Sequence, residues 1–509
     1  MTAEHQPGLR GATLGDLAKE LHDARVIGDP ETRVRDVRHD SREVTTGDLF
    51  VARPGTKTDG ARFTLDAIAR GAVAVASPTE LAVPVPQIVV PDIEGALAFM
   101  SSYVWTHPTW VLDVIGITGT NGKTTTAWLV EHALRKLGAR PGLLGTVAHR
   151  YGSLTWPALH TTPEADDIAR RFAAMRDAGA THAVMEVSSH AIALKRVGAV
   201  RFRVAALTNI TQDHLDFHGT MERYIAAKRA LFEELGPGAS VVNVDDATGA
   251  DLARTVPGAI SYSARGADAT LSVRSGGARH GGIEAEVQTP DGVLTMRSPL
   301  AGAHNVENLL AALGILGAMD FPYARALDAL SDAKGAPGRL ERVTPTVGSA
   351  RFDVLVDYAH TPDALERVIA SVRATTPARV ICLFGCGGDR DRAKRPLMGA
   401  AAARGADVVI VTSDNPRSED PAEIARAAAE GVRGEGMSEA KGAHPAQGEF
   451  VVALDRREAI GLAVSIARDG DTVLIAGKGH ETTQEVMGVR APFDDRDEAR
   501  AALDRIRAD

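Results

Sequence analysis

The sequence predicts an α/β protein of three domains: a central P-loop domain on a parallel sheet, a smaller domain before it, and a C-terminal Rossmann-like α/β domain. Three observations predict this. The 509 residues exceed what one hydrophobic core accommodates. Apolar strand-like runs alternate with amphipathic helical stretches through most of the chain. A glycine loop, Gly116-Ile117-Thr118-Gly119-Thr120-Asn121-Gly122-Lys123-Thr124-Thr125-Thr126, follows one such strand and opens one such helix.

Residues 1–109 form the first domain, with short helices near Leu14–Leu21 and Ala67–Ile68. Its segment His39-Asp40-Ser41-Arg42 reads as a turn with a structural role. Trp105, Pro108 and Trp110 mark the boundary that follows.

Residues 110–344 form the central domain. The apolar run Val111–Ile115 leads into the glycine loop, and Ala127, Val130, Leu134 and Leu137 then recur at helical spacing up to Gly138. In such a loop the glycines let backbone N–H groups close around phosphate oxygens. Lys123 reaches the outer phosphates, and Thr124 offers a hydroxyl to Mg2+. The usual spacing places a glycine where Ile117 stands, and here the glycines fall at 116 and 119. ATP or GTP is the expected ligand of this variant loop.

Two further strands should end beside it, because ligands of parallel sheets gather at the strands' carboxyl ends. Ala180–Val187 runs into Ser188-Ser189-His190, and Val204–Ile210 runs into Thr211-Gln212-Asp213-His214-Leu215-Asp216. Glu186 is a hard oxygen ligand suited to Mg2+, or else a helix-capping carboxylate. His214 and His218 have zincin-like spacing, but Leu215 occupies the place of the catalytic glutamate, which excludes a zinc protease. His218 reads as a surface histidine, and His214, immediately after a strand, as the site candidate.

The helix from Met221 to Leu235 places Tyr224, Lys228 and Leu231 on one stripe. A lysine there either snorkels to water or, if desolvated, has a lowered pKa, so that its neutral amine takes up CO2 as a carbamate. The pattern leaves both open. Residues 240–300 read as a strand-rich insertion with turns at Asp245-Asp246, Gly281-Gly282 and Asp291-Gly292. Asn305 stands at the start of an apolar helix, where it caps the helix or reads an adenine edge. Gly335-Ala336-Pro337-Gly338-Arg339 is a hinge.

Residues 345–509 form the third domain. Strands at 352–356, 380–384, 408–411 and 473–475 each end in a polar cluster: Asp357-Tyr358-Ala359-His360, Gly385-Cys386-Gly387-Gly388-Asp389-Arg390, Thr412-Ser413-Asp414-Asn415-Pro416-Arg417, and Gly477-Lys478-Gly479-His480-Glu481. The partial G-x-G at Gly385 is weak evidence for a dinucleotide. Arg390 and Arg417 offer two guanidinium forks suited to a substrate carrying carboxylates, unless they pair with Asp389, Asp391 or Asp420.

Bulk properties narrow the function. A net charge of −9 without a long basic run argues against nucleic acid as the main partner. Two cysteines are too few for a disulfide framework or a four-cysteine zinc site. The first residues, MTAEHQPGLRG, lack a signal-peptide core, and no stretch reaches the roughly 18 apolar residues of a membrane span. A soluble cytoplasmic protein, monomeric, is expected.

Taken together, Thr118–Thr125, Glu186-Val187-Ser188-Ser189-His190, Thr208-Asn209-Ile210 with Asp213-His214-Leu215-Asp216, and His304-Asn305 with Asn308 resemble, in order, the ATP-dependent Mur ligase family. The resemblance spans nearly the whole chain. Within the family, His39-Asp40-Ser41-Arg42, Thr161-Thr162-Pro163-Glu164, Asp414-Asn415-Pro416-Arg417 and Gly477-Lys478-Gly479-His480-Glu481 look like the branch that adds 2,6-diaminopimelate, with the meso isomer expected, to UDP-N-acetylmuramoyl-L-alanyl-D-glutamate in peptidoglycan synthesis.

The resemblance implies three domains that bind the UDP-sugar peptide, ATP and the amino acid. It implies that Gly119, Thr120, Asn121, Gly122, Lys123, Thr124 and Thr125 hold the triphosphate, and that Asn305, Arg339 and Asp357 contact adenine, phosphate and ribose. Thr124 and Glu186 would hold one Mg2+. Glu186, His214 and Lys228, carbamylated as N6-carboxylysine, would serve a second. Lys123, Lys228, His214 and Glu186 are the implied catalytic group. Ser41, Thr161, Thr162, Ser188 and Arg196 would grip the UDP-linked peptide, although Leu194 stands where some members carry glutamine. Arg390, Asp414, Asn415, Pro416, Arg417, Gly477 and Glu481 would bind diaminopimelate, with Arg417 selecting against lysine. Rival readings are a ligase of the same scaffold adding lysine, D-Ala-D-Ala or a glutamate to folate, and a plain ATPase or nucleotide-switched binding module.

Overall fold

The computed structural model describes residues 11–55, 59–348, 350–442 and 444–506. Residues 1–10, part of the N-terminal stretch read above as lacking a signal-peptide core, lie outside them. The chain forms two compact units, Met1–Tyr262 with Ala311–Pro322, and Ser263–Leu310 with Tyr323–Asp509. Among the described residues no helix is long and apolar enough to cross a membrane.

The first unit contains two large sheets and a two-stranded pair, Ala12–Thr13 with Arg33–Val34. The N-terminal large sheet is five-stranded, in the order Arg25–Ile27, Gln87–Val89, Ala74–Ser77, Asp48–Val51, Asp36–Arg38. Its neighbours are parallel except for the first pair. Leu49, Val51, Ala74, Ala76 and Ile88 bury one face against Leu97, Met100 and Val104 of the helix Ile93–Val104. The second sheet places Asp113–Thr118 between His182–Glu186 and Phe202–Leu207, all parallel. The register sets Glu186 opposite Ile117 and Leu207 opposite Thr118. Three chain segments remote in sequence therefore end at one edge.

The strand before the loop explains one of its glycines. A Cβ on Gly116 would lie 2.6 Å from the Phe202 ring and 3.3 Å from Val187. Gly116 thus serves close packing inside the sheet rather than the phosphate loop itself. After the loop, the helix Lys123–Lys136 runs as its apolar spacing predicts, and Gly138 follows it with φ +92°.

The insertion at 240–300 is strand-rich as predicted, with one helix that the sequence reading did not place. Asp246 is the N-cap of a helix, Ala247–Thr255, its carboxylate accepting from the Thr248 and Gly249 amides. In the second unit, Leu271–Arg279, Gly282–Thr289 and Gly292–Ser298 form an antiparallel meander through the two glycine turns.

The C-terminal sheet of the second unit is seven-stranded, with Asp353–Asp357, Thr472–Ala476, Val380–Cys386, Val408–Ser413 and Glu449–Val452 adjacent and parallel. Side chains alternate between its faces. Cys382, Phe384, Val409 and Val411 pack with Leu365, Ile369, Met398 and Ile424 on one side. Ile381, Leu383, Val408 and Ile410 pack with Ile460, Val464 and Leu503 on the other. Burial on both faces is why these strands read as continuous apolar runs. A hairpin that the sequence does not announce, Thr483–Val486 with Val489–Pro492, follows the last of them.

Candidate active site

The phosphate loop closes on itself and on the strand beside it. Gly119 has φ +144°, and a Cβ there would lie 1.9 Å from Thr208 Oγ1. Gly122, with φ +86°, is the N-cap of the helix Lys123–Lys136. The Thr120 amide donates to Asn209 O at 2.7 Å, the Asn121 amide to Asn209 Oδ1 at 3.0 Å, and Thr208 Oγ1 to Asn121 O at 2.6 Å. Thr120 Oγ1 and Tyr224 Oη are 2.9 Å apart. Lys123 folds over the loop, its Nζ donating to Gly119 O at 2.7 Å and Thr120 O at 2.9 Å.

Glu186 is buried at the neighbouring strand end and accepts from Thr124 Oγ1 at 2.8 Å, Thr146 Oγ1 at 3.0 Å and the Thr146 amide at 2.8 Å. It caps no helix. Thr146 Oγ1 lies 3.0 Å from Thr161 Oγ1. Thr162 Oγ1 donates to Glu186 O at 2.8 Å and accepts from the Ser188 amide at 3.0 Å. Arg196 donates to Thr162 O at 3.3 Å and pairs with Glu164 at 2.5 Å. Four of the five residues read as gripping the UDP-linked peptide are thus neighbours. Ser41, buried at the start of the turn Ser41–Glu43, shares no hydrogen bond with them among the described residues.

Lys228 does not snorkel. It is 2 % exposed, with Nζ donating to Gly119 O at 3.0 Å and lying 4.8 Å from the Tyr224 ring centroid. Burial, and then the charge of Lys123, hold its amine well below the ordinary lysine range. His214 sits in the left-handed region, φ +51°, half-exposed and edge-on to His190 at 4.8 Å. His218 is not the surface residue its context predicts. It is buried, with Nε2 2.9 Å from Ser189 Oγ, because Gly219 turns the chain back toward the helix Met221–Glu233.

In the second unit, Asn305 is the second residue of the helix His304–Ala318 rather than its cap. Its amide donates to Ala301 O at 2.7 Å, and its oxygen accepts from Asn308 Nδ2 at 2.7 Å. Asp357 accepts from the Leu340 and Ala359 amides, and burial raises its pKa against the pull of Arg339. The Arg339 guanidinium lies over the Tyr358 ring at 4.9 Å.

The carboxyl ends of four sheet strands enclose a cavity of about 380 Å3, whose lining includes Arg390, Asp414, Asn415, Arg417, Gly477 and Glu481. Pro416 is buried beside it. The predicted alternative, pairing of the arginines with nearby aspartates, does not occur. Asp389 accepts from Ser418, and Asp391 and Asp420 cap the Ala393 and Ala422 amides. Arg417 donates to Gly388 O at 2.6 Å and has φ +53°. The hairpin imposes that backbone: the Arg417 amide donates to Glu485 O at 3.1 Å, the Met487 amide to Arg417 O at 2.5 Å, and Gln484 Nε2 to Asp414 O at 2.8 Å. Sequence reasoning missed Gln484 and Glu485 and gave Lys478, although named in the cluster Gly477–Glu481, no role of its own; the polar run from Lys478 to Glu485 was the signal available.

A phosphate loop with an acidic strand end beside it, together with a second α/β unit holding a zwitterion-lined cavity, defines an acid–amine ligase scaffold. Comparison with known proteins agrees. Residues 33–102 match the model of the Mur ligase family catalytic domain, 117–316 the Mur ligase middle domain, and 338–479 the Mur ligase glutamate ligase domain. The chain belongs to the Mur ligase family. It is 44% identical to the UDP-N-acetylmuramoyl-L-alanyl-D-glutamate–2,6-diaminopimelate ligase of Thermosynechococcus vestitus, over 92% of this chain and 93% of that one. It is 45% identical to the enzyme of the same name from Synechococcus elongatus, over 91% and 93%. A solved structure of such a ligase, 34% identical, superposes with a TM-score of 0.73 over 98% of this chain and 99% of that one.

Proposed function

We propose that the protein uses ATP to join 2,6-diaminopimelate to UDP-N-acetylmuramoyl-L-alanyl-D-glutamate in the cytoplasmic assembly of peptidoglycan precursors. The observation that carries this reading is the cavity of the second unit. Arg390 and Arg417 have no acidic partner there among the described residues, and Asp414 and Glu481 line the same space. A ligand with both a carboxylate and an ammonium at its far end satisfies all four groups. Lysine lacks that carboxylate and would leave the guanidiniums unanswered.

In the reaction, an oxygen of the D-glutamyl γ-carboxylate attacks the γ-phosphorus of ATP and ADP leaves, giving an acyl phosphate. The diaminopimelate amine attacks the acyl carbon, the carbon–oxygen bond to phosphate breaks, phosphate leaves with its electron pair, and the amine's proton passes to solvent. Lys123 and the N-terminus of its helix offset the charge of the transferring group. Asn305, Arg339 and Asp357 serve the adenine, phosphate and ribose. Ser41, Thr161, Thr162, Ser188 and Arg196 serve the UDP-linked peptide.

Thr124 and Glu186 fit a magnesium ion. Thr124 and Glu186 are hard oxygen donors beside the loop, and Gly145 leaves the space next to Glu186 Oε1 that a Cβ, at 2.4 Å, would take. Thr124 and Glu186 would hold one ion, and Glu186, His214 and a carbamylated Lys228 a second. Bound there, the ions would neutralise phosphate charge.

A panel of amino acids, each offered with the UDP-linked dipeptide and ATP, tests the proposal through phosphate release and product mass. Diaminopimelate is expected to be the preferred acceptor. Equal or better turnover with lysine overturns the acceptor, and ADP release needing neither peptide nor amino acid overturns ligation.

A further inference from the structure

Lys478 lies directly behind the amino-acid cavity and does not line it. Its side chain is fully buried. Burying an ammonium is costly unless partners surround it, so its contacts reveal what it is kept for. Nζ donates to Asn415 Oδ1 at 3.2 Å and to Glu481 Oε2 at 3.2 Å, and lies 3.6 Å from Asp414 Oδ1. All three partners do line the cavity.

The ammonium also settles the orientation of Asn415. Oδ1 accepts both from Lys478 and from the Glu485 amide at 3.0 Å, so Nδ2 must face Glu481, to which it donates at 2.9 Å. Of the three carboxylates on the cavity, Asp391 caps the Ala393 amide, while Asp414 and Glu481 repel each other and must be ionised to receive a substrate ammonium. Two other buried cations lie nearby, and both are engaged: Arg456 with Asp495 and the Ser413 and Ala476 carbonyls, and Arg395 with Glu419.

We infer that Lys478 is a positioning residue for the incoming amino acid, holding Asp414, Asn415 and Glu481 in the arrangement that receives its ammonium group. The inference rests on the amino-acid reading of the cavity given above. Asp414 agrees with it: burial raises its pKa, Arg456 and Lys478 oppose that rise, and Glu481 and Asp495 add to it. Among its other neighbours, Gln484 is neutral and binds the Asp414 backbone, and Tyr358 and Cys386, which burial and then nearby negative charge including that of Asp414 hold in their neutral forms, line the same cavity.

The test compares Lys478→Met with the unaltered enzyme, measuring KM for diaminopimelate, ATP and UDP-linked dipeptide from pH 6 to 9.5. The expected result is at least a ten-fold rise in KM for diaminopimelate, with the other two constants within two-fold. The acid limb of kcat/KM for diaminopimelate should also move to higher pH, because Asp414 has lost an opposing cation. An unchanged KM, or equal rises in all three constants, overturns the inference. If Lys478→Met does not fold, Glu481→Gln is compared with Lys478→Met/Glu481→Gln. Asp414 and Asn415 still need the ammonium in that background, so its loss should raise KM for diaminopimelate a further five-fold or more while the other two constants stay within two-fold, and a smaller rise or a rise in all three overturns the inference. Absence of turnover with diaminopimelate in the unaltered enzyme would instead count against the proposed reaction.

Discussion

Lys123 and Lys228 donate to the same oxygen, the Gly119 carbonyl, at 2.7 and 3.0 Å. The two ammonium groups repel each other there, and burial together with the charge of Lys123 pushes the Lys228 amine well below the ordinary lysine range. Its neutral amine is the form that combines with CO2, which would turn a cation beside the loop into an anion.

Lys228→Ala should therefore lower kcat by at least roughly a hundred-fold, the scale of a charge-stabilising catalytic group, and added bicarbonate should not restore it. Carbon-13 spectra of the enzyme in labelled bicarbonate should show one carbamate signal that the variant lacks. Full activity of Lys228→Ala would remove the carbamate.

At the other substrate, Arg417→Ala should lower kcat/KM for diaminopimelate by roughly 10- to 150-fold, equivalent to the loss of about 1.5–3 kcal/mol from a charged hydrogen bond. The ratio of diaminopimelate to lysine turnover should fall with it. Kinetics with both acceptors decide whether selection resides at this residue.

Gly119→Ala places a methyl group 1.9 Å from Thr208 Oγ1 on a backbone with φ +144°. The expected outcome is nucleotide affinity weakened by more than about ten-fold, the effect of displacing even one hydrogen-bonding group. Calorimetric titration with ATP and a thermal melt would separate loss of the loop from loss of the fold.

His39 and Asp166 form a pair, Nδ1 to Oδ1 at 2.8 Å. Burial opposes the imidazolium, but the hydrogen bond and charge of Asp166 prevail and raise its pKa above 6.5. A raised pKa contributes stability that is complete below the unfolded value and is lost as pH rises through the folded one. The melting temperature of the unaltered protein should exceed that of His39→Gln near pH 6, and the difference should shrink toward pH 9.

What was legible in the sequence was local. The phosphate loop, the strands bearing Glu186 and Thr208, and the polar clusters after Val356, Phe384, Val411 and Ile475 all follow from patterns within a few residues. What was not legible depends on partners remote in sequence. Gly116 looks like part of the loop until Phe202 is seen against it. His218 looks exposed until Ser189 meets it, and Asp246 looks like a turn residue until it caps a helix. The hairpin Thr483–Pro492 is two four-residue strands with no buried face, so no sustained apolar alternation marks it.

That hairpin has a consequence for redesign. Arg417 holds its left-handed backbone through the amide of Met487 and the carbonyl of Glu485. A four-residue graft of Asp414–Arg417 into a lysine-adding relative would therefore carry the guanidinium without its scaffold. The transplantable module is the motif together with its strap, two stretches inherited as one.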